Sequence, residues 1–250
     1  MFYRASGELQ SELTEMDECM PHYYKITNGH GQGAETIMRA EADFMRACFA
    51  DAQIMLERAY AQIDGNGQEN MALCCDFLAR RLSLHAGVQQ RCSFDERYAA
   101  LLRRHNLCDR PLIEAYAARE HARGGDRDGA IASMRAVVDH LFRDGPRLLH
   151  GVAATGVLVE TLIDRGSDDD LSEAAAAVSR VADVRSGGEL FVRDVWLLRW
   201  RALLARAHGD EAGYRRHRDR YRDMAAAHGF EGHLAWAEAL SRAGTSRIWK

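Results

Sequence analysis

Residues 111–140 read PLIEAYAAREHARGGDRDGAIASMRAVVDH, and this stretch decides the fold. Pro111 suits the first turn of a helix, because a proline lacks the N–H that would have no partner there. Gly124, Gly125 and Asp126 interrupt the helical pattern and predict a tight turn. Apolar residues at helical spacing lie on both sides of the break. They are Leu112, Ile113, Tyr116 and Ala117 before it, and Ala130, Met134 and Val137 after it.

This order of glycine, aspartate and an apolar stripe resembles a tetratricopeptide (TPR) hairpin. Similar patterns recur, with anchors at Ala130, Ala174 and Tyr214 about 40 residues apart, which is longer than the usual TPR period of about 34. The sequence predicts an all-α fold, a TPR-like α-solenoid of stacked hairpins forming a single domain over residues 1–250. The predicted repeats are residues 2–24, 34–63, 69–105, 111–140, 152–184 and 192–228, with a final helix at 231–242.

Three of the predicted turns differ in sequence. In the repeat at 34–63, Ala47 stands where a turn glycine is usual. The repeat at 192–228 breaks at Gly209 and Asp210. In the repeat at 152–184 the break runs from Gly166 to Asp170, and we expect Asp170 to cap the second helix with Glu173 completing a capping box.

The composition supports a helical array. Hydrophobic residues make up 47% of the 250, and only three are proline, which breaks helices. No signal peptide and no apolar stretch of about 18 residues is recognisable, so we expect a cytoplasmic protein without a membrane span. The cysteines follow no metal-binding spacing and are expected to be free thiols. They are Cys19, Cys48, Cys74, Cys75, Cys92 and Cys108.

Charge argues against direct nucleic-acid binding. The net charge is −4, and acidic residues lie among the arginines. The densest basic run is interrupted by Asp219 and Asp223, which favours a solvated helix face. Its members are Arg215, Arg216, Arg218, Arg220 and Arg222.

Two segments resemble known regulators. Residues 1–70 resemble the helical repeat region of LuxR-type, MalT-like transcriptional regulators. The matching stretches are FYRASG (2–7), MDECMPHYY (16–24), NGHGQGAE (28–35) and MRAEA (38–42). Residues 97–240 resemble the C-terminal TPR region of actinobacterial multidomain regulators that join a cyclase or a LuxR helix-turn-helix to an ATPase module. The matching stretches are GDRDGAI (125–131), VLVETL (157–162), VRDVWLLR (192–199) and GFEGHLAWAEA (229–239).

These resemblances imply a regulatory or sensory module. The chain has no P-loop motif, and its two lysines, Lys25 and Lys250, follow no glycine-rich loop. We expect the chain to lack the helix-turn-helix and cyclase domains of such regulators and to begin inside a repeat. We therefore expect a binding module that takes a protein partner or a small effector on the concave face of the superhelix. We expect no catalytic residues, metal or cofactor.

The candidate contact residues are Arg199, Trp200 and Arg206, since guanidinium groups bind acidic or phosphate-bearing ligands. The glycine-rich string at 29–33 is interpreted as a connection, because no strand precedes it and no lysine follows. The triplet His228, Glu231 and His233 lacks the spacing of a zinc protease. Three other hypotheses stay open: a homo-oligomerising scaffold using residues 2–24, a DNA-linked regulator, and an enzyme built on the array.

Overall fold

The structure, a computed structural model, describes residues 32–62, 69–86, 110–143, 148–184 and 191–242. Every regular element in these ranges is a helix, which confirms the all-α prediction. The described residues fall into two compact units that divide between Arg110 and Pro111. The predicted segments 2–24 and 87–105 lie outside the described residues.

The first unit contains three described helices. Helix α1 packs against both α2 and α3, and α2 also packs against α3. Their bounds are α1 Gln32–Met45, α2 Phe49–Gln62 and α3 Glu69–Ala86.

The second unit contains seven described helices. From α5 onward each helix packs against the next, and α6 also packs against α8. A turn at Gly124–Asp126 joins α4 to α5. The bounds are α4 Arg110–Arg123, α5 Arg127–Arg143, α6 Leu148–Arg165, α7 Asp168–Ala182, α8 Phe191–Ala207, α9 Glu211–Ala227 and α10 Glu231–Arg242.

Four of the turns end a helix in the same way. The residue after the helix cap has a positive φ, and two backbone N–H groups bond back to the last turn. After α8, for example, Gly209 N–H donates to Arg206 O at 3.0 Å and Asp210 N–H donates to Ala205 O at 2.8 Å. This is a Schellman motif. In these four turns the residues with positive φ are Ala47, Gly125, Gly209 and Gly229, with φ of 57°, 112°, 72° and 64°.

Aspartate follows two of these glycines and begins the next helix. The Asp210 side chain accepts the Gly213 N–H at 2.8 Å, and Asp126 accepts the Gly129 N–H at 3.1 Å. A Cβ on Gly213 would lie 2.0 Å from an Asp210 carboxylate oxygen. The sequence Gly-Asp-x-x-Gly therefore encodes both the end of one helix and the cap of the next.

The predicted cap of α7 was wrong. Ser167 is the N-cap, and its hydroxyl accepts the Asp170 N–H at 3.2 Å. Asp170 completes the capping box by accepting the Ser167 N–H at 3.1 Å. The helix starts three residues earlier than predicted, because serine with a carboxylate three residues on satisfies two backbone N–H groups at once. Glu173 instead pairs with Arg135 of α5.

The stripes that the sequence identified are buried. Ala130, Met134 and Val137 are at most 6% exposed, and Tyr214 and Tyr221 are also buried. The second helices of the hairpins, α5, α7 and α9, are exposed along one side. Helices α6 and α8 differ, since residues 151–162 and 195–204 are buried at nearly every position.

We predict that Gly209→Ala lowers the free energy of unfolding by about 1 kcal/mol, because alanine is strained at φ 72°. No atom lies within 4 Å of the added Cβ, so the loss comes from the backbone and not from a clash. Gly209→Asn should lose less, since asparagine tolerates this conformation. Urea denaturation measures the difference. An alanine variant as stable as the native protein would contradict the assigned turn.

We predict that Asp170→Asn costs about 2 kcal/mol at pH 7, because it removes the charge of a buried carboxylate that is paired with the half-buried Arg165. Hydrogen bonds from Arg165 hold the pKa of Asp170 well below its usual range. A depressed pKa stabilises the fold above the unfolded-state value near 4, and this stabilisation is lost as pH falls below it. The gap between native protein and variant should therefore shrink between pH 5 and pH 2, as denaturant titrations at each pH will show. The exposed neighbour in Asp169→Asn is the control, and a gap that does not change with pH would refute the assignment.

Candidate functional site

A charged residue recurs at one buried position of the first helices. Five such residues lie 38 to 41 residues apart, and each is at most 8% exposed. Charged side chains are rarely buried unless they are paired. They are Glu41 on α1, Arg81 on α3, Arg119 on α4, Glu160 on α6 and Arg199 on α8.

In the first unit this position joins α1 to α3. Nη1 of Arg81 donates to both carboxylate oxygens of Glu41, at 2.7 and 2.8 Å. The guanidinium also stacks on Phe44 at 4.1 Å and approaches Phe77 at 5.2 Å. Arg81 thus satisfies its charge with an acid and its flat faces with aromatic rings.

In the second unit the same position links α4 to α6 and α6 to α8. Arg119 donates to the Thr161 hydroxyl at 2.6 Å and to Asp164 at 3.0 Å. Nε of Arg199 donates to Glu160 at 3.4 Å. Successive first helices are therefore joined by hydrogen bonds and ion pairs. In a purely apolar core, only side-chain packing would join them.

Aromatic rings enclose Arg199. Its guanidinium carbon lies 4.4 Å from the centre of the Trp236 ring. Trp196 packs between Trp200, at 5.9 Å, and Trp236, at 5.7 Å. A guanidinium held over an indole in a dry environment gains cation–π energy, so this cluster stabilises the contact of α10 with α8.

A buried Tyr–His pair completes the cluster. The Tyr221 hydroxyl lies 2.8 Å from Nδ1 of His233, and both residues are fully buried. Burial raises the pKa of Tyr221, and Arg199 partly opposes that rise. The hydroxyl therefore stays protonated. It bonds to Arg199 and can give its own proton to His233, since a guanidinium only donates.

The structure places the three predicted contact residues differently. Arg199 and Trp200 are 2% and 0% exposed, and both belong to the interior cluster. The Trp200 ring lies against Gly156 of α6, where an added Cβ would be 2.9 Å away. Arg206 is half-buried beside the ring of Tyr214 at 5.8 Å. Ligand contact by these residues stays a prediction, and for the first two it would require the interior to open.

A cationic flank lies on the α8–α9 hairpin, and we define it as Arg201, Arg216, His217 and Arg220. Arg216 and Arg220 are exposed and share one face of α9, four residues apart. Arg201 stands eight residues before Gly209 and His217 eight residues after it, so the antiparallel hairpin sets them at the same height. In the part of the chain that the structure describes, none of the three arginines has a carboxylate within 4.0 Å.

Burial and the arginines of the flank lower the pKa of His217. Burial lowers the pKa of His217, and the charges of Arg216, Arg201 and Arg220 lower it further, while Asp210 opposes them. Nδ1 of His217 is buried and has no hydrogen-bond partner among the described residues. The imidazole is therefore neutral at pH 7, and the positive field comes from the arginines.

Two of the three arginines on the other side of α9 are paired with acids, while the third, Arg215, donates to the Glu211 carbonyl oxygen at 3.2 Å. Arg218 pairs with Asp219 at 2.8 Å and Arg222 with Asp223 at 2.9 Å. Tyr214 and Tyr221 separate the two sides of the helix. Within the predicted solvated face, Arg218 and Arg222 thus have acid partners, whereas Arg216 and Arg220 have none among the described residues.

The sequence analysis missed the buried charges and the division of the arginine run. A signal for the first was the 38-to-41-residue recurrence of a charged residue inside an apolar stretch. A signal for the second was the four-residue spacing of Arg216 and Arg220, which separates them from Arg218 and Arg222 on the helix surface.

The other candidate groups do not form a metal site among the described residues. His228 stacks on Phe191, with ring centres 3.7 Å apart, and does not join His233 in a ligand set. Within the described ranges no cluster of three or more His, Cys, Asp or Glu residues could hold a metal, and no disulfide joins the described cysteines Cys48, Cys74 and Cys75. None of the described helices is long and apolar enough to cross a membrane.

Comparison with known proteins does not assign the chain. No family model, no curated protein and no solved structure matches it.

Proposed function

We infer that this chain is a non-catalytic binding module made of TPR-like hairpins, and that it holds an anionic ligand or partner on the cationic flank. The supporting observation is that Arg201, Arg216 and Arg220 lie together without a carboxylate partner in the described ranges, whereas Arg218 and Arg222 on the same hairpin are paired with acids. Unpaired surface arginines that share one face provide a ready site for an anion.

The packing supports the TPR-like part of this proposal. Successive first helices α6 and α8 contact each other, and each also contacts the second helix of its own hairpin. The buried charged position recurs at 38 to 41 residues, so the same structural unit repeats along the chain. Stacked units of this kind expose a long surface for binding.

The burial pattern favours the flank over the inner face of α8. Arg199 and Trp200 are committed to the interior, whereas Arg216 and Arg220 are exposed. A ligand reaches the flank without disturbing the core.

The Tyr221–His233 pair gives no reason to add catalysis to this proposal. Tyr221 and His233 form a pair of the type that enzymes use, but both are fully buried among tryptophans. A substrate could not approach them without unpacking α10 from α8. The regulatory role rests on the resemblance to LuxR-type and multidomain regulators, and it stays a proposal.

Native mass spectrometry of the chain purified gently from cells tests the binding function. We expect a retained anionic small molecule or a protein partner. The adduct should disappear in Arg216→Ala/Arg220→Ala and persist in Arg215→Ala/Arg222→Ala, which removes the same number of charges from the other side of α9. A ligand that both variants retain would place the binding site elsewhere. A bare chain that also captures no partner in a pull-down would contradict the proposal.

A further inference from the structure

The charge of the flank suits one phosphate group. The charges of three arginines act on His217, and the Asp210 carboxylate, which also acts on His217, is already the cap of α9. The remaining positive charge matches a group that carries about two negative charges near pH 7, as a phosphate monoester does.

Arginine chemistry favours phosphate among the possible anions. Each planar guanidinium offers two parallel N–H donors, which match two oxygens of one phosphate group. Arg216 and Arg220 approach from one helix and Arg201 from the helix packed against it. Donors that converge from two elements can surround a tetrahedral group, whereas a flat carboxylate would use only part of them.

The histidine supplies an additional polar group. Nδ1 of His217 is buried without a partner in the described structure, although buried polar atoms are nearly always hydrogen-bonded. His217 lies at the level of Arg201 on the hairpin, and the charges of Arg201, Arg216 and Arg220 all act on it.

The extent of the flank argues against a nucleic-acid surface. A protein that follows a nucleic-acid backbone needs a stripe of cations that spans several phosphates. On α9 the stripe is interrupted because Asp219 and Asp223 neutralise Arg218 and Arg222. Arg216 and Arg220 are therefore not part of a continuous stripe of unpaired arginines along α9.

We propose that Arg201, Arg216 and Arg220, with His217, bind the dianionic phosphate of a phosphomonoester. This inference rests on the proposed binding function and names its ligand class.

Isothermal titration calorimetry of the whole chain with phenyl phosphate and with inorganic phosphate, at constant ionic strength, tests the proposal. We expect saturable binding that weakens at least about tenfold in Arg216→Ala/Arg220→Ala and less than about threefold in Arg215→Ala/Arg222→Ala. Phenyl phosphate binding much more tightly than inorganic phosphate would identify an ester, and equal binding would identify the free ion as sufficient. Both outcomes support a phosphate site.

Three results would overturn it. Equal weakening in the two double variants would show an unspecific charge effect. A second result would be that neither phosphate binds at millimolar concentration, while the native chain binds a short single-stranded oligonucleotide and Arg216→Ala/Arg220→Ala does not. The ligand class would then be nucleic acid and not a phosphomonoester. If neither binds, but the native chain still retains a partner that Arg216→Ala/Arg220→Ala loses, the phosphate inference fails and the binding function stands.

An NMR titration of His217 gives a second measurement. A dianion bound beside the ring must raise the pKa of His217, because it opposes the charges of Arg201, Arg216 and Arg220 and acts in the same direction as Asp210. We expect the increase on adding phenyl phosphate, and an unchanged His217 titration would contradict contact with the site.

Discussion

Buried arginine–carboxylate pairs between alternate helices are the contacts on which the described architecture depends. Glu41–Arg81 joins α1 to α3, and Glu160–Arg199 joins α6 to α8. Each pair links residues about 40 positions apart, which is the length of one hairpin with its connection. An apolar contact tolerates sliding between helices, whereas a buried charge needs its partner at one position. The pairs therefore specify how one hairpin sits on the next.

The same constraint explains where a ligand can bind. Arg199 contacts Glu160, Tyr221 and Trp236 in the interior, so it is not available on the surface. The sequence nevertheless suggests Arg199 as a ligand contact. Helices α6 and α8 are buried over most of their length by contacts inside the unit. Most of the surface that remains belongs to the second helices, and on α9 the exposed Arg216 and Arg220 have no acid partner among the described residues, whereas Arg218 and Arg222 do.

The sequence predicts the hairpins well because their turns are local. Gly125 and Gly209 adopt positive φ, and the aspartate after each of them caps the next helix, so both signals lie within five residues. Ala47 obeys the same geometry without a glycine, because its neighbours still make the Schellman bonds. The α7 cap was misplaced because three consecutive aspartates offered competing candidates, and only the structure shows that Ser167 is bonded.

The candidate site is harder to predict because its parts are distant in sequence. Glu160 and Arg199 read as surface charges until α6 and α8 are packed together. Arg201 joins Arg216 and Arg220 only through the hairpin, and the spacing along α9 alone does not show which arginines have acid partners. Local rules thus predict the elements, whereas the pairing of charges depends on tertiary contacts.

A double-mutant cycle with Glu160→Leu and Arg199→Met tests the central claim most directly, with the free energy of unfolding as the readout. If the pair joins α6 to α8, each single variant leaves a buried charge alone and loses about 3 kcal/mol, while the double variant loses much less than the sum. We expect a coupling energy of at least about 1.5 kcal/mol. Losses that add to within about 0.5 kcal/mol would show that the two charges do not depend on each other and would contradict the account.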